Sequence, residues 1–502
     1  MSRMEDRWHG SGFTGEEFRV ANHVYDVDLQ VLGAGSLFEL LCTARTGIGR
    51  RQQANYLLKP CTVAEAVIRQ EAVRELMPQS ELRERIGLLG RFDFQESTWG
   101  VFADWIAVPA APAPGWVRAA ILACSSVLGV TVLLGFITGY PLRSLAPQVV
   151  PLIVAMLGVA WFYRARTHSL NAAASRVGVE IGVLREGIEL VGRTTLHSEK
   201  LIAIQRRLSD SRAASVLRQL ERLTNALAHC EKPQFELFAR ALATRTQLCF
   251  AIEQWKSRHA GQLEAWLDAW GEFETLIAIS GYAWEHAGDV FPEFTQGSAS
   301  FDASGLGHPL IPNAVCVRND VLLNACNRFY VVSGSNMAGK STLLRSIGLN
   351  VVLAKAGAPV RAASLQLSGL DVFASLSIVD SILEGKSKFL AEVERVKQML
   401  ESARQTPVLF LIDEILSGTN SRDRRVASEA IVRTLAGSGA IGALSTHDLA
   451  LTEIAELEGL AGSNVHMGAK TDGGPMDFDY LLKPGVTTES NALAIVAMMG
   501  IE

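Results

Sequence analysis

Apolar residues keep helical spacing through most of the chain and change to short unbroken runs beyond Gly305. The first 30 residues are polar and mixed in charge, and are expected to form a loosely ordered leader. Leu37, Leu40 and Leu41 then fall on one helical face. Thr62 and Glu65 have the spacing of a capping box, which predicts a helix running to Met77. Pro109, Pro112, Pro114 and Gly115 break the pattern. Further helices are predicted over Ser169–Val191, Ser198–Cys230 and Gln234–Arg258, the last opened by Pro233. Another covers "QLEAWLDAWGEFETLIAISGYAWEH", where the stripe of Trp266, Trp270 and Phe273 reads as core packing.

Two stretches depart from amphipathic spacing altogether. No charge lies between Arg118 and Arg143, and none between Ser144 and Tyr163. Each run is close to the roughly 20 apolar residues a helix needs to cross a bilayer. Trp116, Tyr140, Trp161, Phe162 and Tyr163 stand at their ends, as interfacial aromatics do. The reading is a transmembrane hairpin over residues 115–165. Arg143 alone marks the connection, whereas Arg118, Arg164, Arg166 and Arg176 flank the pair. That asymmetry puts both termini in the cytoplasm of a multi-pass protein of the cell membrane. A buried hairpin in a soluble core is the alternative, favoured by Pro147 and Pro151 in the second run.

Beyond Gly305, apolar runs at Phe329–Ser333, Val408–Ile412, Ile441–Ser445 and Phe478–Leu482 predict strands, with helices after the first three. This alternation implies an α/β domain with a largely parallel sheet, whose ligands bind at the strands' C-terminal ends. The first of these runs leads into "GSNMAGKST", in which Gly334, Gly339, Lys340 and Ser341 fit a phosphate loop. Small residues there let backbone N–H groups close around phosphates at a helix N-terminus. The candidate nucleotide contacts are Gly334, Ser335, Asn336, Met337, Ala338, Gly339, Lys340, Ser341 and Thr342. Lys340 brings a full charge to ATP, and Ser341 a hydroxyl for Mg²⁺.

The second run ends in Asp413-Glu414. Asp413 is the candidate second Mg²⁺ ligand, and Glu414 is free to orient or deprotonate a water. His447, directly after the third run, is either a γ-phosphate sensor or a satisfied structural histidine.

Composition narrows the setting. A net charge of −5 and a pI near 6.1 leave no global basic field to collect nucleic acid. Arg206, Arg207, Arg212, Arg218 and Arg222 nevertheless dot one predicted helix, as a solvated face or as a phosphate-contacting one. The 7 cysteines are scattered without C-x-x-C or Cys/His clusters, so neither zinc nor a disulfide framework is expected.

These motifs resemble the ATPase domain of the MutS mismatch-repair proteins, within the wider ABC ATPase class. Asn336-Met337 inside the loop, "DEILSGTNSRD", "STHDL" and the closing "ESNALAIVAMMGI" all match that family's habits. "EGKSKFLAEVERV" resembles its signature segment, which implies that Ser387 reaches the partner subunit's nucleotide in a homodimer with composite sites. "SLFELLCTARTGIGRRQQANYLLKP" is similar to the start of the family's helical core. The resemblance implies an α/β ABC-type P-loop ATPase domain over 291–502. Ahead of it would stand an all-α MutS-like core over 31–114 and a core/lever region over 166–290, interrupted by the hairpin. Cys316 stands where the family usually stacks an aromatic on adenine, and Tyr480 is the candidate for the other stacking face.

Several departures bear on function. Residues 1–30 are too few for a mismatch-reading domain, no β-rich clamp insertion is visible among the helices, and Ser335 and Ala338 replace the family's usual proline and glycine. ATP hydrolysis with Mg²⁺, driving dimer closure at a membrane, is therefore the leading expectation. DNA binding or mismatch repair is implied by resemblance alone. The alternative is an ABC-type motor or sensor for a membrane or protein partner. A nucleotide-gated scaffold with little hydrolysis is disfavoured by Glu414 and His447.

Overall fold

A computed structural model describes residues 3–5, 7–59, 61–89, 105, 108–110, 112–139, 142–209, 213–230, 232–335, 337–376, 388–416, 421–468 and 477–487. They fall into two compact units. One comprises Met1–Thr43, Arg51–Ser80 and Thr275–Glu502; the other comprises Ala44–Arg50 and Glu81–Glu274.

The first unit is built on two sheets. The smaller takes β1 (Glu293–Phe294), β2 (Phe301–Leu306), β3 (Asn319–Leu323) and β5 (Ser364–Leu367) in the order β1-β5-β2-β3. The larger joins β4 (Phe329–Ser333), β6 (Asp371–Ser375), β7 (Val408–Asp413), β8 (Ile441–Thr446), β9 (Gly462–His466) and β10 (Lys483–Pro484) in the order β10-β9-β4-β8-β7-β6. All its pairings are parallel except β10 with β9. Helices Lys340–Ala356, Lys388–Ala403 and Ser421–Gly437 provide crossovers. β4 and β8 are buried throughout, and β7 up to Asp413, as strands covered on both faces must be. Phe329, Val331, Phe410, Ile412 and Leu444 meet Met399, Val432 and Leu435 in one core cluster.

Three of the predicted strands are present to within one residue. The fourth is not: Phe478–Leu482 carries only an isolated bridge residue, and Tyr480 has φ 56°. That left-handed backbone cannot continue a strand.

The leader also differs from expectation. Tyr25, Asp26, Asp28 and Leu29 are buried, and Val24 O accepts from Ala374 N at 2.9 Å, on edge strand β6. Leu29 packs where the phosphate-loop helix carries Gly348. A Cβ there would lie 2.7 Å from Leu29 Cδ1 and 2.8 Å from Leu411 Cδ1. The N-terminal arm is therefore an integral part of this unit. Farther on, Thr62 caps helix Val63–Leu76 as expected, accepting from Glu65 N at 3.2 Å.

The second unit is helical. Residues Arg164–Arg193, Glu199–Ser209, Ala213–His229, Pro233–Ala241 and most of Thr244–Glu285 form it, together with two apolar helices. Ala243, at φ 48°, breaks the predicted Gln234–Arg258 helix, and the chain then continues unbroken for 42 residues. Trp266, Trp270 and Phe273 are core residues, and Gly187 gives Trp270 its space: a Cβ there would lie 2.0 Å from its ring.

The apolar helices are Gly115–Thr138 and Leu142–Phe162. Val117, Ile121 and Met156 pack with Ala243 and Phe250 at their base. Gln247 Nε2 donates to Ser125 Oγ at 2.9 Å. Farther along, Leu133, Leu134, Phe136, Ile137, Val150 and Val154 are exposed. Among the described residues one helix, Gly115–Thr138, has the length and hydropathy of a membrane span; the second is apolar only over Ala146–Phe162. The expected pair of spans is thus reduced to one candidate and a shorter apolar companion.

Candidate functional site

The site is assembled where β4, β7 and β8 end. β4 runs into Gly334, whose φ is 148° and whose Cβ, if present, would lie 2.2 Å from Met467 O. Only glycine fits that turn. Met337 also has positive φ, 72°, and Gly339, at φ 101°, precedes helix Lys340–Ala356. Ala338 is buried beneath the turn and Met337 is exposed above it. The Lys340 ammonium, 6% exposed, donates to Gly334 O at 2.7 Å and Ser335 O at 2.9 Å. Burial lowers its pKa below the usual lysine range, while Asp413 and Glu414 act in the opposite direction.

Asp413, the last residue of β7, has both carboxylate oxygens engaged. Ser341 Oγ donates to Oδ2 and Ser445 Oγ to Oδ1. Ser445 belongs to β8, paired in register with Asp413. The Ser341 hydroxyl and the Asp413 carboxylate are thus close enough to share one small cation. An all-oxygen donor set suits Mg²⁺, which fills its remaining positions with phosphate oxygens and water. Among the described residues no group of three or more His, Cys, Asp or Glu could hold a metal.

Glu414 follows at φ 53°, with its N–H bonded to Ser445 O at 3.1 Å. Its carboxylate Oε1 lies 2.8 Å from His447 Nδ1. A carboxylate only accepts, so His447 donates from Nδ1.

Beside the loop is a cleft of about 280 Å³ lined by His308, Cys316, Asn319, Gly339, Thr342 and Tyr480, among others. Tyr480, the sequence's candidate for stacking on the base, and Cys316, at the position of the family's usual aromatic, therefore face one cavity. Asn319 holds the Tyr480 segment: its Nδ2 donates to Tyr480 O at 3.1 Å and its Oδ1 accepts from Leu482 N at 2.7 Å. Burial pushes the His308 pKa down to about 4, with Arg345 and Arg361 adding to the effect, so its ring is neutral in the cleft. Its Nδ1 accepts from Leu310 N at 3.2 Å, which leaves the proton on Nε2.

The family model for MutS domain V matches residues 330–502, from within β4 to the end of the chain. This C-terminal part of the chain belongs to the MutS family. The MutS domain here is an ATPase-type α/β domain, preceded along the chain by a helical region.

Of the residues expected at the MutS site, Gly334, Ser335, Met337, Ala338, Gly339, Lys340, Ser341 and Thr342 lie on the loop and first helical turn. Asp413, Glu414 and His447 join them at the strand ends, and Tyr480 borders the adjoining cleft. Asn336 and Ser387 lie outside the described residues, as does the closing "ESNALAIVAMMGI" segment. Ser445, His308 and Asn319 were not anticipated. Ser445 stands inside "STHDL", two residues before His447, where strand alternation puts it on the same face. His308 and Asn319 carry no local signal.

Proposed function

We propose that this chain is a Mg²⁺-dependent ATPase that closes as a homodimer around composite ATP sites and is anchored in the cell membrane. The observation that carries the reading is the convergence of Lys340, Ser341, Asp413, Glu414 and His447 on the ends of three adjacent strands. In this reading, loop amides and Lys340 hold the phosphates. Ser341 and Asp413 hold Mg²⁺, which when bound would neutralise phosphate charge. Glu414 takes the proton of the attacking water, and His447 orients Glu414. Ser387 completes the site of the partner subunit, as in the family.

Membrane anchoring is supported by helix Gly115–Thr138, with mean hydropathy 2.4 over its most apolar window, and by the exposed Leu, Val and Phe side chains of the apolar pair. After an alkaline carbonate wash of cell membranes the chain is expected in the pellet. Recovery in the supernatant would remove the anchor from this account.

Coupling to DNA follows from the family, whose members bind DNA. A second reading, a motor or sensor for a protein or membrane partner, is favoured by a specific observation. Arg207 pairs with Glu272 at 3.4 Å and Arg218 with Glu189 at 2.6 Å. Two members of the arginine row are thus neutralised within the helical unit rather than offered to phosphates. ATP turnover by the solubilised chain should require Mg²⁺ and stop with chelator. Gel-shift titrations with homoduplex, mismatched and branched DNA decide between partners. A shift that weakens steeply with salt supports DNA, and no shift at low salt supports the second reading.

A further inference from the structure

Asp28 comes from the N-terminal arm, far in sequence from every motif, yet it touches three parts of the nucleotide domain. Its carboxylate side chain is 3% exposed. Oδ1 accepts from Leu376 N at 2.8 Å, and Oδ2 accepts from the Arg395 guanidinium. Its main-chain oxygen accepts from Arg345 Nε at 2.9 Å. Arg345 stands on the helix that begins at Lys340. Leu376 directly follows β6, and Arg395 stands on helix Lys388–Ala403. The same guanidinium donates to Ala374 O at 3.0 Å, which ties it to β6 as well.

One carboxylate therefore bridges the residue that enters segment 377–387 and the helix that leaves it, while its own backbone is bonded to the phosphate-loop helix. We propose that Asp28 is a positioning residue for ATP turnover: it fixes the end of β6 and helix Lys388–Ala403 relative to the phosphate-loop helix. This rests on the ATPase reading above. Asp28 is placed to act on the alignment of the two halves of a composite site rather than on nucleotide affinity. Since Ser387 immediately precedes helix Lys388–Ala403 in the sequence, the effect belongs to the protomer that lends the signature to its partner.

The test uses the full-length chain in detergent. Asp28→Asn preserves an acceptor for Leu376 N but turns an N–H pair toward Arg395, so the charge pair is lost. We expect kcat to fall tenfold or more while the Kd for a fluorescent ATP analogue stays within twofold. Should that variant fail to fold, Arg395→Gln carries the same comparison, because a shorter, uncharged side chain removes the Nη1 group that donates to both Asp28 and Ala374. Mixing supplies a readout that general destabilisation would not give. Asp28→Asn mixed with Lys340→Ala should regain activity, since one site of the mixed dimer then carries neither lesion. Mixed with Ser387→Ala it should not, since both sites then receive a damaged signature. Unchanged kcat overturns the proposal, as does Kd weakening in step with kcat, or failed rescue by Lys340→Ala when Ser387→Ala is rescued by it. If the Ser387→Ala and Lys340→Ala pair itself gives no rescue, the trans arrangement falls. The kcat and Kd comparison for Asp28→Asn then decides alone.

Discussion

Glu414→Gln is expected to bind ATP as the parent does and to hydrolyse it at least about 100-fold more slowly, within the range general-base catalysis contributes. The reason is a division of labour between adjacent carboxylates. Asp413 is held by Ser341 and Ser445, on the side where a cation would sit. Glu414, which follows at positive φ, faces His447 at 2.8 Å. An amide at 414 keeps the shape and leaves the Asp413 contacts untouched, but it cannot take a proton from water. Single-turnover hydrolysis and analogue binding would measure the two effects separately. A parental rate in this variant would remove Glu414 from the chemistry. Because His447 is argued to act through Glu414, His447→Ala should add little to the loss already caused by Glu414→Gln, a non-additivity expected of residues that work as a unit.

The legible parts of this protein were those whose physics is local. β4, β7 and β8 sit at the sheet centre, so their sequences are unbroken apolar runs that read directly as strands. β6 and β9 lie farther out; "DVFAS" and "GSNVH" mix polar and apolar residues and do not announce themselves. Lys340, Ser341 and Asp413 were legible because phosphate and Mg²⁺ demand those groups at those spacings. His308 was not, since its place in the cleft depends on the fold. The leader misled for a related reason. Asp26 and Asp28 lie in the stretch expected to be loosely ordered, but Asp26 Oδ1 caps Leu32 N at 2.9 Å and Asp28 pairs with Arg395, 367 residues away. A long-range partner that satisfies a buried carboxylate leaves no trace in local pattern. The apolar hairpin shows the opposite error. Absence of charge marked both helices, yet length and continuous hydropathy support a span in only the first.

Lys340→Ala is expected to weaken ATP binding at least about 100-fold, and its defect should be repairable by another inactive variant. The ammonium is buried at the mouth of the loop, donating to Gly334 O and Ser335 O. With ATP bound, the ammonium would turn to the phosphates, and two charge-assisted hydrogen bonds to their oxygens at about 1.5–3 kcal/mol each would make its loss worth two or more decades in affinity. Alanine leaves the backbone cradle but no charge on the phosphates. Ser387→Ala, in the proposed reading, damages the opposite end of a composite site. In a mixed dimer one site therefore combines both lesions and the other has neither, so activity should return to about half the parental value per mixed dimer. Subunit exchange in micelles, verified with differently tagged chains, is needed because each protomer carries its own apolar hairpin. ATPase rate per protomer should also fall on dilution below the dimerisation constant. Parental affinity in Lys340→Ala would sink the phosphate-loop assignment. Verified exchange without rescue, together with a rate independent of concentration, would leave a monomeric ATPase in which Ser387 plays no part across an interface.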